Sequence, residues 1–206
     1  MIAVLMGTYL TFDKPVHVEP DPIKRSRFIG DGCPIHSIED ALAFIEAIRQ
    51  RYPDAGHHCF AWRLAEGDQG FRVSDDGEPG GTGGQPILNH IDGAELRGIV
   101  IVVTRYFGGT KLGKGGLIRA YGGTAGDAIK AANIVSVVEK TSVTFTCDYS
   151  DQGTVDGVLR AFEIDDPKKN YTDIVEMEVA VPSENEVDLR RALIDATSGR
   201  LKMRPD

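Results

Sequence analysis

Between Leu96 and Gly126 the chain carries five basic side chains and no acid, in a protein whose net charge is -8. They are Arg97, Arg105, Lys111, Lys114 and Arg119; without them the 23 basic residues fall to 18, against 31 acidic ones. The centre of the stretch reads Arg105-Tyr106-Phe107-Gly108-Gly109-Thr110-Lys111-Leu112-Gly113-Lys114-Gly115-Gly116. Core packing has no use for so many glycines among cations, whereas a backbone that must approach an anion does. Gly108 to Lys114 fits the GxxxxGK spacing of a phosphate loop. However, Gly115 stands where Ser or Thr would hold magnesium, and the dinucleotide GxGxxG pattern is missed. What survives is general anion chemistry. Lys111, Lys114 and the free amides of a helix opening after Gly115-Gly116 could hold a phosphate, with Arg105 and Arg119 close in sequence. Tyr106 and Phe107 could stack on a base. The bland alternative is a structural glycine loop with both aromatics in the core.

A second glycine-rich loop is acidic: Ser74-Asp75-Asp76-Gly77-Glu78-Pro79-Gly80-Gly81-Thr82-Gly83-Gly84-Gln85-Pro86. Asp75, Asp76 and Glu78 could hold a cation, order the basic loop by charge pairing, or be solvated acids on turns. Their spacing is not that of a calcium loop, so no metal is assigned. His57 and His58 are consecutive on a strand and face opposite sides. His57 shares its face with Cys59, and either histidine could partner Asp75 or Asp76. Too few ligands surround them for zinc. His17, His36 and His90 read as isolated surface or loop residues. GxSxG and HExxH are both missing. Ser74 and Thr82 are weak nucleophile candidates, so no catalytic residue and no cofactor are assigned.

The elements that must position these loops follow from composition and periodicity. A hydrophobic fraction of 41% and a charged fraction of 26% fit an ordinary soluble protein. No apolar run approaches the ~20 residues of a membrane span. Residues 1–12 lack a basic n-region and a cleavage site, so a cytoplasmic protein is expected. Cys33, Cys59 and Cys147 are odd in number and far apart, which points to free thiols. The acidic balance argues against a coat of nucleic acid over the whole surface but leaves room for a local basic site.

Glycine divides the chain: sixteen of 24 lie between Gly67 and Gly123, and three follow Lys140. The division predicts an α+β protein of two domains, 1–138 and 139–206. In the first, strands are expected at 23–30, 57–64, 70–74 and 98–104. Ser37 to Asp40 reads as a capping box. It opens a helix with Ile38, Ala41, Leu42, Ile45 and Ile48 on one face. A second helix spans 116–133 with Leu117, Tyr121, Ala125 and Ala128 inward. Its Gly122 and Gly126 would allow close approach to the sheet. In the second domain Val143 to Tyr149 and Val175 to Val181 alternate as strands, with a further strand near 164–171 and a short one at 201–204. Helices follow Asp151, as a cap, and a second capping box at Ser183 to Glu186. The order is βαββαβ, the ferredoxin-like plan.

Four strings in this order resemble one family. They are Lys24-Arg25-Ser26-Arg27-Phe28-Ile29, Asp54-Ala55-Gly56-His57-His58-Cys59, Ser74-Asp75-Asp76-Gly77-Glu78-Pro79, and Val102-Val103-Thr104-Arg105-Tyr106-Phe107-Gly108-Gly109. Together they resemble the IMPACT family in its bacterial YigZ-like branch. Gly83 departs from the family, which usually has alanine there; the glycine is expected to loosen the loop. The resemblance implies an N-terminal domain like the second domain of ribosomal protein S-five, with a sheet and two helices on one side. It implies a C-terminal domain like the last domain of elongation factor G. Both look-alikes touch RNA in translation. Eukaryotic relatives regulate translation initiation under stress through protein contacts, and no enzymatic activity is firmly attached to the family.

Three readings follow. The first is a non-enzymatic translation-associated regulator that binds RNA or the ribosome through Arg105 to Gly116 and Arg119. The second is a regulator that binds a translation-related protein under stress. The third is an enzyme on a phosphorylated small molecule, with Arg105, Lys111 and Lys114 on phosphate and His57, Asp75 or Asp76 as acid or base.

Overall fold

The computed structural model of the chain describes residues 7–65 and 70–204. Residues 1–6, on which part of the no-leader expectation rests, lie outside the described residues. Two compact units divide between Val137 and Val138, with residues 7–8 in the second, so the strands that begin at Thr8 and end at Val138 lie in the first apart from those two residues.

The first unit comprises β1 (Thr8–Phe12), β2 (Val16–Val18), β3 (Arg27–Pro34), α1 (Ile38–Arg51), β4 (His57–Arg63), β5 (Phe71–Ser74), α2 (Gly84–Gly93), β6 (Ile99–Tyr106), α3 (Lys114–Ala131) and β7 (Ile134–Val138). Strands β1 and β7 pair as a small separate sheet, and the others form a five-stranded sheet of order β2-β3-β6-β4-β5. Every pairing in that sheet is antiparallel. Strand β6 is central and covered on both faces, so Ile99 to Val103 is an unbroken apolar run rather than an alternating one. On one face Phe28, Cys59, Ala61, Ile101 and Val103 pack with α2 and α3. On the other, Phe60, Trp62, Val100 and Val102 pack with α1. Each such large apolar side chain contributes ~1.5–3 kcal/mol on burial.

Several sequence-based expectations need correction. Helix α1 has the expected capping box, Ser37 with Asp40, but buries only Ala41, Ile45 and Ile48. Ile38 and Leu42 stay about half exposed. Leu42 lies about 100° round the helix from Ala41, outside the buried stripe, and Ile38 occupies the first turn. Residues 23–26 form a tight turn, and the strand begins only at Arg27. Helix α2 was hidden by its opening, Gly83-Gly84-Gln85-Pro86. A proline is tolerated in a first turn, and Ile87, Leu88 and Ile91 then bury one face. Gly122 and Gly126 do not face the sheet; both admit the ring of His90 from α2. His90 is therefore not isolated, and neither is His17, whose Nδ1 lies 2.9 Å from the buried Asp31 carboxylate.

The second unit contains β8 (Lys140–Cys147), α4 (Gln152–Ala161), β9 (Lys168–Tyr171), β10 (Val175–Pro182), α5 (Glu186–Ala196) and β11 (Lys202–Met203). The antiparallel sheet order β11-β8-β10-β9 is the ferredoxin-like arrangement. Val155, Leu159, Leu189 and Leu193 of the helices pack on Val143, Phe145, Met177 and Val179. The two expected caps do not form. Asp151 instead accepts a two-pronged bond from Arg200, at 2.7 and 3.0 Å, which holds its carboxyl below the usual range. Ser183 sits in a 3-10 turn and donates to the Glu139 carbonyl. Among the described residues no helix is long and apolar enough to cross a membrane.

Candidate functional site

Cross-strand register sets the centre of the site. Arg105 of β6 lies opposite Phe28 of β3 and His57 of β4. Directly opposed residues share a face, so the three side chains form one row at the end of the sheet, on the side of α2 and α3. Glu78 of the acidic loop closes over this row. Its Oε1 accepts from Arg105 Nη1 at 2.6 Å and from the Tyr121 hydroxyl of α3 at 2.7 Å. His57 Nε2 stands 3.8 Å from the same oxygen. Arg105 and Glu78 are both buried, so the acidic and basic loops are joined by a desolvated ion pair. Burial first, then Cys59 and Glu78, push the Tyr121 phenol far above its ordinary pKa, which keeps it a donor.

The remaining acids of the loop are also spent inside it. Asp75 accepts the amides of Gly81, Gly83 and Gly84 at 2.8–3.0 Å, folding the glycines back into the start of α2. Burial alone would raise its pKa, but these amides and that of Thr82 together hold it below the ordinary value. Asp76 accepts the His58 amide at 2.7 Å and Arg49 at 3.1 Å. His58 is buried, which lowers its pKa, and its Nε2 lies 3.1 Å from the Tyr52 carbonyl. His57 Nδ1 lies 2.8 Å from the Asp76 carbonyl, so that nitrogen carries the proton. Thr82 is buried and donates to the Pro79 carbonyl. Burial pushes the Cys59 thiol up to about 12, so it is no nucleophile at neutral pH. Gly83 tightens rather than loosens the loop: a Cβ there would stand 2.5 Å from Cys59 Sγ. Among the described residues no three His, Cys, Asp or Glu side chains gather as metal ligands.

The basic loop behaves differently. Lys111, Lys114 and Arg119 are exposed and make no hydrogen bond or ion pair among the described residues. Helix α3 starts at Lys114, so Gly115 and Gly116 lie in its first turn, not before it. No side chain caps that end, and the guanidinium of Arg119 reaches back toward Gly115. Phe107 is 57% exposed, and the Arg105 guanidinium lies 5.5 Å from its ring centre and 5.6 Å from that of Phe28. Tyr106 points to the other face, where Arg27 covers its ring and its hydroxyl donates to Asp54. Gly109 has φ +83 and open space beside it.

One part of this surface went unassigned from the sequence. Ser26 Oγ accepts the Gly108 amide at 3.1 Å and an Arg105 guanidinium N–H at 3.4 Å. The turn Ile23-Lys24-Arg25-Ser26 thereby lies directly on the basic loop. A Cβ at Gly108 would stand 2.0 Å from the Arg25 carbonyl carbon. The turn brings exposed Lys24 and Arg25 to the loop, and Arg25 bonds Thr110 at 3.4 Å. The motif string around Ser26 was a usable signal, but nothing in Lys24-Arg25 announces a turn.

Residues 24–129 match the Impact N-terminal domain family, and 145–200 match a domain of unknown function, DUF1949. An IMPACT family member from Thermus thermophilus is 40% identical over 87% of this chain and 97% of its own length. The IMPACT family member YigZ of Escherichia coli is 35% identical, covering 96% of this chain and 98% of that one. The chain belongs to the IMPACT family. A crystal structure of an hypothetical protein, 35% identical, covers 98% of each chain with a TM-score of 0.76. That likeness bears out the two-domain α+β fold. The translational regulator Yih1, at 23% identity and a TM-score of 0.34, stands too far away to carry function. All candidate site residues, from Lys24 to Arg119, fall inside the Impact N-terminal span of this family member.

Proposed function

We propose that this IMPACT protein is a cytoplasmic, non-enzymatic, translation-associated regulator that binds RNA, free or on the ribosome, through its basic glycine-rich loop. One observation carries the reading. Exposed Lys111, Lys114 and Arg119 have no hydrogen-bond or ion-pair partner among the described residues, and Phe107, close by in sequence, exposes its ring, in a protein whose net charge is -8. Exposed cations in one stretch of chain with an exposed aromatic suit a strand whose phosphates are neutralised and whose base is stacked. The Arg105 guanidinium lies against the Phe107 ring in a cation–π contact. The acids that an enzyme would use are committed to backbone amides, Arg49 and Arg105, which favours a binding role.

The test is a titration of fluorescent single-stranded RNA across salt concentrations. Binding should weaken with a slope of about -0.7 per phosphate neutralised. No binding at low salt overturns the RNA reading. Capture of one protein partner that survives nuclease treatment would then support the regulator acting by protein contacts under stress.

A further inference from the structure

The geometry points to the Lys24-Arg25 turn as a dedicated phosphodiester-binding element, the second half of the RNA surface, held in a strained conformation for that purpose. This inference rests on the RNA reading above. Ile23 and Ser26 exchange two backbone hydrogen bonds, each 2.9 Å, which defines a two-residue hairpin loop. Both central residues have positive φ, 48° at Lys24 and 68° at Arg25. That is the signature of a type I′ turn, whose central positions favour Asn-Gly, Asp-Gly or Gly-Gly. Long side chains with a Cβ are disfavoured in the left-handed region. A turn needed only to reverse the chain would be more stable with the usual residues.

The strain is enforced by its surroundings. The main chain of Arg25 and Ser26 is pressed on Gly108, where not even a Cβ fits. Ser26 is fully buried and ties the turn to the Gly108 amide and to Arg105. A rigid base therefore presents two exposed cations next to the basic loop. Two lysines on a flexible loop would hold phosphates at a larger cost in ordering. The ligand class is a phosphodiester chain rather than a lone phosphate. The main chain of Arg25 abuts Gly108, so the turn adds exposed Lys24 and Arg25 to a loop that itself carries exposed Lys111 and Lys114 and the exposed Phe107 ring. Arg25 supplies a planar fork suited to two phosphate oxygens.

The experiment compares the full-length protein with the double variant Lys24→Asn/Arg25→Gly. A charge-matched control, Lys130→Ala/Lys202→Ala, removes two exposed cations elsewhere. Thermal unfolding and salt-dependent RNA titration are read for all three. The turn variant is expected to melt about 2–4 °C higher, because favoured residues relieve the strain. Its RNA affinity should fall roughly tenfold and its salt slope flatten by about 1.4, or 0.7 for each phosphate no longer neutralised. The control should bind like the wild type. Equal affinity and slope in the turn variant overturn the inference while leaving the RNA reading intact. So does a loss of stability, since the turn would then not be strained for function. A wild type that fails to bind RNA removes both readings together.

Discussion

The two glycine-rich loops are built from similar material and use it in opposite ways. The acidic loop spends its carboxylates internally: Asp75 on three amides, Asp76 on the His58 amide and Arg49, Glu78 on Arg105 and Tyr121. The basic loop contributes one cation, Arg105, to that network and leaves Lys111, Lys114 and Arg119 in solvent. A buried charge is tolerated only when paired, whereas an exposed one is free to meet a ligand. The acidic loop is therefore scaffold and the basic loop is surface. Substitutions in the first should therefore cost stability and substitutions in the second should cost binding.

The largest expected effect is on the buried pair. Glu78→Ala leaves Arg105 buried without its partner, and should destabilise the first unit by ~3–5 kcal/mol in chemical denaturation. Its Nε already lacks a partner among the described residues, so no slack exists to absorb the loss. Adding Arg105→Met should recover part of the stability. A double variant no better than Glu78→Ala would break the claim that the two loops are joined through this pair. Gly108→Ala comes next, at ~3 kcal/mol. Its Cβ would meet backbone rather than a movable side chain, and overpacking of that kind costs about 1–3 kcal/mol or more. The neighbouring Gly109→Ala meets open space and carries only the positive-φ penalty, ~1 kcal/mol. Equal costs at the two positions would sink the close approach of turn and loop.

Asp75→Asn should cost ~1–3 kcal/mol, because an amide oxygen replaces a charged acceptor of three N–H groups. The pH dependence has a defined sign. Folding lowers the Asp75 pKa, so its contribution is complete above the unfolded value of about 3.9 and is lost as pH falls through the folded value. His58 has a lowered pKa through burial, and being bound neutral it favours folding fully above about pH 6.5. Its contribution falls away as pH drops from there toward the folded value. Stability measured from pH 7 downward should therefore decline in two stages. Asp75→Asn should flatten the lower stage and His58→Gln the upper.

What the sequence disclosed depended on how local each signal was. Strand β6 and the ferredoxin-like unit were legible because apolar runs and alternation report burial directly. Helix α2 was not, since its first turn is glycine and proline and only three residues carry its periodicity. The charge asymmetry of the basic stretch was plain in the composition. That the loops meet was not, because Glu78 and Arg105 are 27 positions apart and share a site only through sheet register and the fold of α2. The Lys24-Arg25 turn was hidden for a different reason. Turn chemistry is read from Asn, Asp and Gly, and here two residues that normally avoid the left-handed region adopt it.

The smallest expected stability effect is the sharpest probe of the contrast. Lys111→Ala/Lys114→Ala removes two exposed side chains with no partner among the described residues, so the stability of the protein should change by no more than ~0.5 kcal/mol. Removing positive charge from a protein of net charge -8 adds a little self-repulsion, which sets the direction of any residual change. RNA affinity in the same variant should fall, with the salt slope flattened by about 1.4. A variant as stable as the wild type and weaker on RNA separates binding from folding, which Arg105 variants cannot do because that residue serves both loops. If the double variant unfolds more readily instead, Lys111 and Lys114 are part of the scaffold, and the division between the loops fails at its plainest point.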